Sequence, residues 1–173
     1  MAGQTSEPAG SDRTPAGRTV PAGGARPLDA VDRRIVEALV RDARTSVRTL
    51  AERLHISRTN AYARLERLVA DGVLTGFHAR VSPARLGLGT SAYLSIAIEQ
   101  NTWREVSARL REVPYVEHFC LLAGDHDVLA LIRAPDNSAL RTLVLDQVQG
   151  IPGVLSTRTW LVFEEFEGSG VPW

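Results

Sequence analysis

The apolar repeat of this 173-residue chain changes period once, near Gly76, and that change limits the folds open to it. Before it, apolar side chains recur at helical spacing. Val31, Ile35 and Leu39 line a helix over about 30–42, Leu50 and Leu54 a second over about 47–54, and Ala61, Leu65 and Leu68 a third over about 58–70. Asp29, Ser46 and Ser57 stand where each helix needs an oxygen to cap its free N–H groups, and Asp32 adds a carboxylate to the first turn. Asp71-Gly72 stops the third helix. From Ala92 the period is two: Ala92, Leu94, Ile96 and Ile98 alternate with Tyr93, Ser95, Ala97 and Glu99, the pattern of a half-buried strand.

The second pattern continues as a helix at about 102–112, a strand at 115–122, a turn at Gly124-Asp125-His126 and a strand at 127–133. A helix at 137–149 and a strand at 154–163 complete it. The expected fold is α+β, a three-helix (winged) helix-turn-helix followed by a ferredoxin-like βαββαβ domain. The expected boundaries are a tail at 1–27, the helical domain at 28–76, a linker strand and connection at 77–89, the second domain at 90–166 and a terminal tail at 167–173. Residues 1–27 hold five Gly, four Pro and five Ala, too little apolar surface to offset ordering. A solvated tail is expected there; an arm touching DNA through Arg13, Arg18 and Arg26 is the alternative.

Net charge is zero, but it is not evenly spread. All 20 basic residues are arginine; residues 28–85 carry 11 of them against 7 acids, and residues 86–173 carry 6 against 11. A basic first half and an acidic second half imply different partners. Between 43 and 67 there are six arginines and two acids, suited to a phosphate backbone. The second and third helices meet across Leu54-His55-Ile56-Ser57, a turn short enough for a helix-turn-helix. His55 occupies the position that often needs a positive φ, where glycine is usual. On the third helix Asn60, Arg64 and Arg67 recur at i, i+4 and i+7 and are expected to project opposite Ala61, Leu65 and Leu68. Asn pairs with adenine and Arg with guanine in the major groove. Ser57 and Thr59 at the helix start, with Arg44, Arg48 and Arg58 (and Arg53 nearby), complete the expected DNA surface. A plainly solvated arginine face is the bland alternative.

These motifs run in a recognisable order: Leu28-Asp29 with Asp32, Ile35, Ala43-Arg44, Leu50-Ala51, Ile56-Ser57 and Arg64-Leu65-Glu66-Arg67-Leu68. Asp71 to Phe77, Ala79, Leu86-Gly87 and Gly124-Asp125-His126-Asp127 follow. Over about 28–166 the chain resembles the Lrp/AsnC family of transcription regulators. The resemblance implies an N-terminal helix-turn-helix, and a C-terminal ferredoxin-like domain that dimerises and senses small molecules, commonly amino acids. It implies a homodimer, often a tetramer of dimers, on a pseudo-palindromic promoter site in double-stranded DNA. It also implies an effector site between subunits at Ala123, Gly124, Asp125, His126 and Asp127, where Asp125 or Asp127 would receive an ammonium group. From residue types alone, the same stretch is a plain β-turn. Two departures matter: His55 replaces the usual Gly, and Ala63 stands where many members carry the first of two arginines.

Tyr93, Trp160, Val162 and His118 fall on alternating strand positions that suit packing against a second subunit. No apolar run reaches the ~18 residues of a membrane span, the start lacks a signal-peptide pattern, and a single cysteine argues against a disulfide framework. A cytoplasmic, nucleoid-associated protein is expected. Cys120, His118 and His126 do not match a closed zinc set, so no metal or cofactor is expected, and Cys120 is expected to be buried. Glu164, Glu165 and Glu167 read as a solvated acidic cluster, and Trp103 and Trp173 as packing or terminal residues. No catalytic constellation is present. The rival functions are an effector-free architectural DNA-binding protein and a sirohaem-decarboxylase-like enzyme on the same fold; the arginine-rich third helix argues against the enzyme.

Overall fold

Five α-helices and a four-stranded sheet make up the bulk of the structure, a computed structural model that describes residues 27–166 and 168. The tail arginines Arg13, Arg18 and Arg26 lie outside the described residues, as do Glu167 and Trp173. The chain divides between His78 and Ala79 into two units.

In the first unit, α1 spans Ala30–Arg41, α2 Val47–Leu54 and α3 Arg58–Ala70. Each begins at its expected cap. Ser46 Oγ accepts from the Thr49 N–H at 3.1 Å and Ser57 Oγ from the Asn60 N–H at 3.1 Å. At α1 the cap is reciprocal: Asp29 accepts from the Asp32 N–H at 2.8 Å, and Asp32 accepts from the Asp29 N–H at 3.1 Å. Ile35, Val36, Leu39, Leu50, Leu54, Leu68 and Leu74 form the core. Burying side chains of this size contributes about 1.5–3 kcal/mol each. His55 adopts the left-handed conformation (φ 54°, ψ 44°) that its place in the turn demands. Residues 71–82, the stretch a wing would occupy, form no strand.

In the second unit, β1 spans Thr90–Ile98, α4 Trp103–Leu110, β2 Val116–Leu121, β3 Val128–Ala134, α5 Asn137–Thr142 and β4 Val154–Leu161. A 3₁₀ turn at Ala84–Leu86 precedes β1. The sheet is antiparallel in the order β2-β3-β1-β4, the ferredoxin-like arrangement. Ala92, Leu94, Ile96, Val128, Ala130 and Ile132 face the helices and pack with Val106, Leu110, Leu140 and Leu143. The last helix is not uniformly α-helical. Leu143–Val148 is a π-helical segment, and the Gln149 N–H donates to the Val144 carbonyl five residues back.

Register sets the composition of the opposite sheet face. One row across β2, β3, β1 and β4 reads His118, Leu131, Tyr93 and Trp160; the next reads Cys120, Leu129, Ser95 and Arg158. Three of the four residues expected on this face therefore fall in one row. Val162 lies just past β4, its N–H donating to the Ser91 carbonyl at 2.8 Å. Cys120 corrects the expectation of burial: it is exposed, because it sits on the outer face of edge strand β2. Glu165 corrects the expectation of a solvated acid. It is drawn back to β3, where both its oxygens accept from Arg133. Arg133 also donates to Glu117 at 2.5 Å and to Ser91 Oγ at 2.8 Å, and its side chain is 12% exposed. Glu165, and after it Glu117, raises the Arg133 pKa against the opposing effect of burial.

The left-handed backbone at His55 strains any side chain with a Cβ. His55→Gly should stabilise the helical unit by about 0.5–1 kcal/mol, whereas His55→Val should destabilise it by more than ~1 kcal/mol. Urea unfolding followed by far-ultraviolet circular dichroism measures both; equal midpoints for the two variants would remove the strain argument.

Candidate nucleic-acid interface

The arginines of α3 are divided between two roles by the helix's own geometry. Successive residues turn by about 100° around the axis. Ala61 and Leu68, both fully buried, define the inward direction, with half-buried Leu65 beside them. The row Asn60, Arg64 and Arg67 then lies roughly 100° round the helix, on a flank rather than opposite the core. That flank faces the first turn of α1. This corrects the expected orientation of the row: Arg64 and Arg67 are only 22% and 27% exposed.

Both arginines meet the carboxylate of Asp32, which is 1% exposed. Arg64 Nη1 donates to Asp32 Oδ1 at 2.7 Å and to Asp29 Oδ2 at 2.6 Å. Arg67 Nη2 donates to Asp32 Oδ2 at 2.6 Å. Arg64 Nε donates to Asn60 Oδ1 at 2.8 Å, so the amide of Asn60 is oriented by its neighbour. Burial is the largest single influence on Asp32 and pushes its carboxyl up. Hydrogen bonds from Arg67, from Arg64 and from the Asp29 N–H together outweigh it and hold the group at about 2. The Asp32 N–H and then Arg64 likewise lower Asp29. Asp32 was legible as a first-turn carboxylate, but its role as a partner of α3 was not, since that contact joins residues 32 positions apart.

The other expected DNA residues are open. Arg44, Arg48, Ser57, Arg58, Thr59 and Asn60 are all exposed, the first two at the start of α2 and the other four at the start of α3. Arg48 makes an exposed i,i+4 pair with Glu52 at 2.9 Å, the kind of contact a phosphate can replace at little cost. The outward crest of α3, opposite Ala61, Leu65 and Leu68, carries Thr59, Ala63 and Glu66, all exposed.

In the second unit the turn Ala123 to Asp127 divides similarly. Asp127 holds the sheet together at this end, because its Oδ2 accepts from the Ile98 N–H at 2.8 Å and its carbonyl accepts from the Leu122 N–H at 2.8 Å. Ala123, Gly124 and Asp125 are exposed, and Asp125 makes no ion pair among the described residues. A Cβ at Gly124 would meet nothing within 4 Å, so none of the described residues requires a glycine there. The His126 ring packs edge-on to Trp160 at 6.4 Å. Beside it a shallow, apolar depression of about 500 Å³ is lined by Tyr93, Ser95, Leu122, His126, Leu129 and Trp160. The Ser95 hydroxyl at its floor is buried and has no hydrogen-bond partner among the described residues. Among the described residues no helix is long and apolar enough to cross a membrane.

The Asp32 cluster makes acid stability predictable. The carboxyl titrates near 3.8 when unfolded and near 2 when folded, so its stabilisation is complete above about pH 4 and is lost as pH falls through 2. Its size is about 2 kcal/mol. Asp32→Asn should weaken the unit by about 2–4 kcal/mol at pH 7 and lack this part of the acid dependence. Urea midpoints measured from pH 5 to pH 2 test it; an identical pH profile in the variant would assign the acid sensitivity to other carboxylates.

Comparison with known proteins agrees with this architecture. Residues 28–69 match the AsnC-type helix-turn-helix domain, and residues 91–171 match the Lrp/AsnC ligand binding domain. The chain is 36% identical to the HTH-type transcriptional regulator AldR of Mycolicibacterium smegmatis, over 84% of this chain and 86% of that protein. It is 31% identical to the leucine-responsive regulatory protein of Salmonella typhimurium, over 82% of this chain and 88% of that one. Among solved structures, a transcriptional regulator from Neisseria meningitidis in complex with L-Met superimposes with a TM-score of 0.78 at 26% identity, covering 84% of this chain and 97% of that one. The chain belongs to the Lrp/AsnC family and is a transcriptional regulator of that type.

Proposed function

We propose that the chain is a sequence-specific DNA-binding regulator tuned by a small metabolite, such as an amino acid, bound beside the turn at Ala123 to Asp127. In this division of labour residues 28–76 bind DNA, and residues 90–166 sense the metabolite and assemble the protein. The observation that carries the DNA reading is the exposure of Arg58, Thr59 and Asn60 at the start of a capped α3, with Arg44 and Arg48 exposed at the start of α2. The arginines supply phosphate contacts, and the helix start, with its Ser57 cap and free N–H groups, suits a phosphate as well. Asn60 presents its amide to the groove edge. The acidic second half keeps clear of the duplex and leaves the arginine-rich half to face it.

For assembly, the row His118, Leu131, Tyr93 and Trp160 supports a homodimer formed through the outer sheet face, with a tetramer of dimers as the larger form. Two copies of α3 related by a two-fold axis would meet a pseudo-palindromic promoter site in double-stranded DNA. For sensing, the uncommitted Asp125 carboxylate suits an ammonium group, and open Gly124 lets a ligand approach the backbone. The L-Met complex of the neisserial relative supports an amino acid as the ligand class. Regulation then requires the ligand to bind one assembly state more tightly than another.

Fluorescence anisotropy against a duplex selected by the protein tests the DNA reading. Binding should fall steeply with salt, and Arg58→Ala or Arg44→Ala should each reduce the slope of log K on log salt by about 0.9. Salt-independent binding would overturn it. Thermal shift with the amino acids tests the sensor: a ligand at 100 times its Kd stabilises by about 2.7 kcal/mol, and Asp125→Ala should abolish the shift. No stabilisation by any of them would leave the effector-free architectural reading.

A further inference from the structure

We propose that Arg64 and Arg67 do not read bases but fasten α3 to α1 through Asp32, and that base reading falls to Thr59, Ala63 and Glu66 on the opposite crest, beside Asn60. This rests on the reading of the first unit as a DNA-binding module.

The donors of Arg64 are already committed. A bidentate contact to guanine takes two parallel N–H groups of one guanidinium. In Arg64, Nε is held by Asn60 and Nη1 by both Asp29 and Asp32. Turning to a base edge would leave Oδ1 of a carboxylate that is 1% exposed without its guanidinium, and a buried charge only half paired is unfavourable. Arg67 is bound to the same carboxylate through its second oxygen. The two arginines therefore act on DNA at one remove, by setting the angle of α3 and the rotamer of Asn60. Asp32 is their positioning residue.

The crest has different chemistry. Thr59, Ala63 and Glu66 recur at i, i+4 and i+7, the spacing that places three side chains along one side of a helix. All are exposed, and Glu66 makes no ion pair among the described residues. The methyl groups of Thr59 and Ala63 suit the C5-methyl of thymine, and a carboxylate accepts from the N4 amine of cytosine. A glutamate on this helix looks misplaced against phosphates. On the crest it points at the groove floor, where base amines are found. Each half-site should therefore contain thymine and cytosine under α3, and lack a guanine that depends on Arg64 or Arg67.

The test is selection of duplexes from a random library by the full-length chain and its variants, read beside urea unfolding midpoints. Glu66→Gln should move the preference at one base pair from cytosine towards adenine by about tenfold and leave the midpoint unchanged. Thr59→Ser should relax a thymine preference. Arg64→Gln and Arg67→Gln should lower the midpoint and weaken all sequences together, with every selected base retained. The assignment is overturned if either arginine variant keeps its midpoint and loses one base preference. It is equally overturned if Glu66→Gln selects the same site as the wild type, an arm that stands even if the arginine variants fail to fold. A wild-type chain that enriches no sequence defeats the DNA-reading proposal itself, an outcome distinct from both.

Discussion

One buried carboxylate, Asp32, settles how the helical unit is put together. It closes the reciprocal cap of α1 with Asp29 and receives a guanidinium on each oxygen from α3. Hydrophobic packing of Ile35, Leu50 and Leu68 draws the helices together but leaves their rotation loosely specified, since apolar contact has no direction. Charged hydrogen bonds do have direction. Two arginines on one flank of α3, each aimed at one oxygen of the same carboxylate, fix both the rotation and the tilt of that helix. The desolvation cost is offset because each oxygen is paired, and Asp29 balances the second positive charge.

That constraint redistributes the electrostatics. With Arg64 and Arg67 neutralised internally, the exposed cations of this stretch are Arg44, Arg48, Arg53 and Arg58. The outward crest is left nearly free of cations. In the proposed reading, affinity and sequence choice fall to different residues, one set acting by charge and the other by shape and hydrogen bonding. Arg133 plays a comparable part in the second unit. It ties β1, β2 and the segment after β4 into one cluster through Ser91, Glu117 and Glu165, leaving the Tyr93 and Trp160 end of the same sheet face open.

Local signals carried most of the fold. The caps at Asp29, Ser46 and Ser57, the helices at 47–54 and 58–70 and the left-handed turn residue His55 were all legible, because each depends on neighbours within four positions. The βαββαβ element order followed from the alternation of period, and the observed strand order is the ferredoxin-like one. What was not legible involved contacts distant in sequence. The pairing of Glu165 with Arg133 spans 32 positions, and Cys120 is exposed because β2 is an edge strand, which no local pattern states. The π-helical end of the last helix was also hidden, since its residues have ordinary helical character.

Two units of different period and opposite charge, a helix-turn-helix followed by a ferredoxin-like sheet, can be read from local pattern, because periodicity and capping act over a few residues. The sequence also marked the chemistry at the start of α3 and at Gly124-Asp125. Which of those groups stay free to meet a partner depends on contacts made in the folded chain. Arg64, Arg67 and Asp127 had the right chemistry for binding, yet folding gives each an internal partner. The reason is that a buried carboxylate or an unsatisfied strand N–H must be paired within the protein, and that need is met before any ligand arrives.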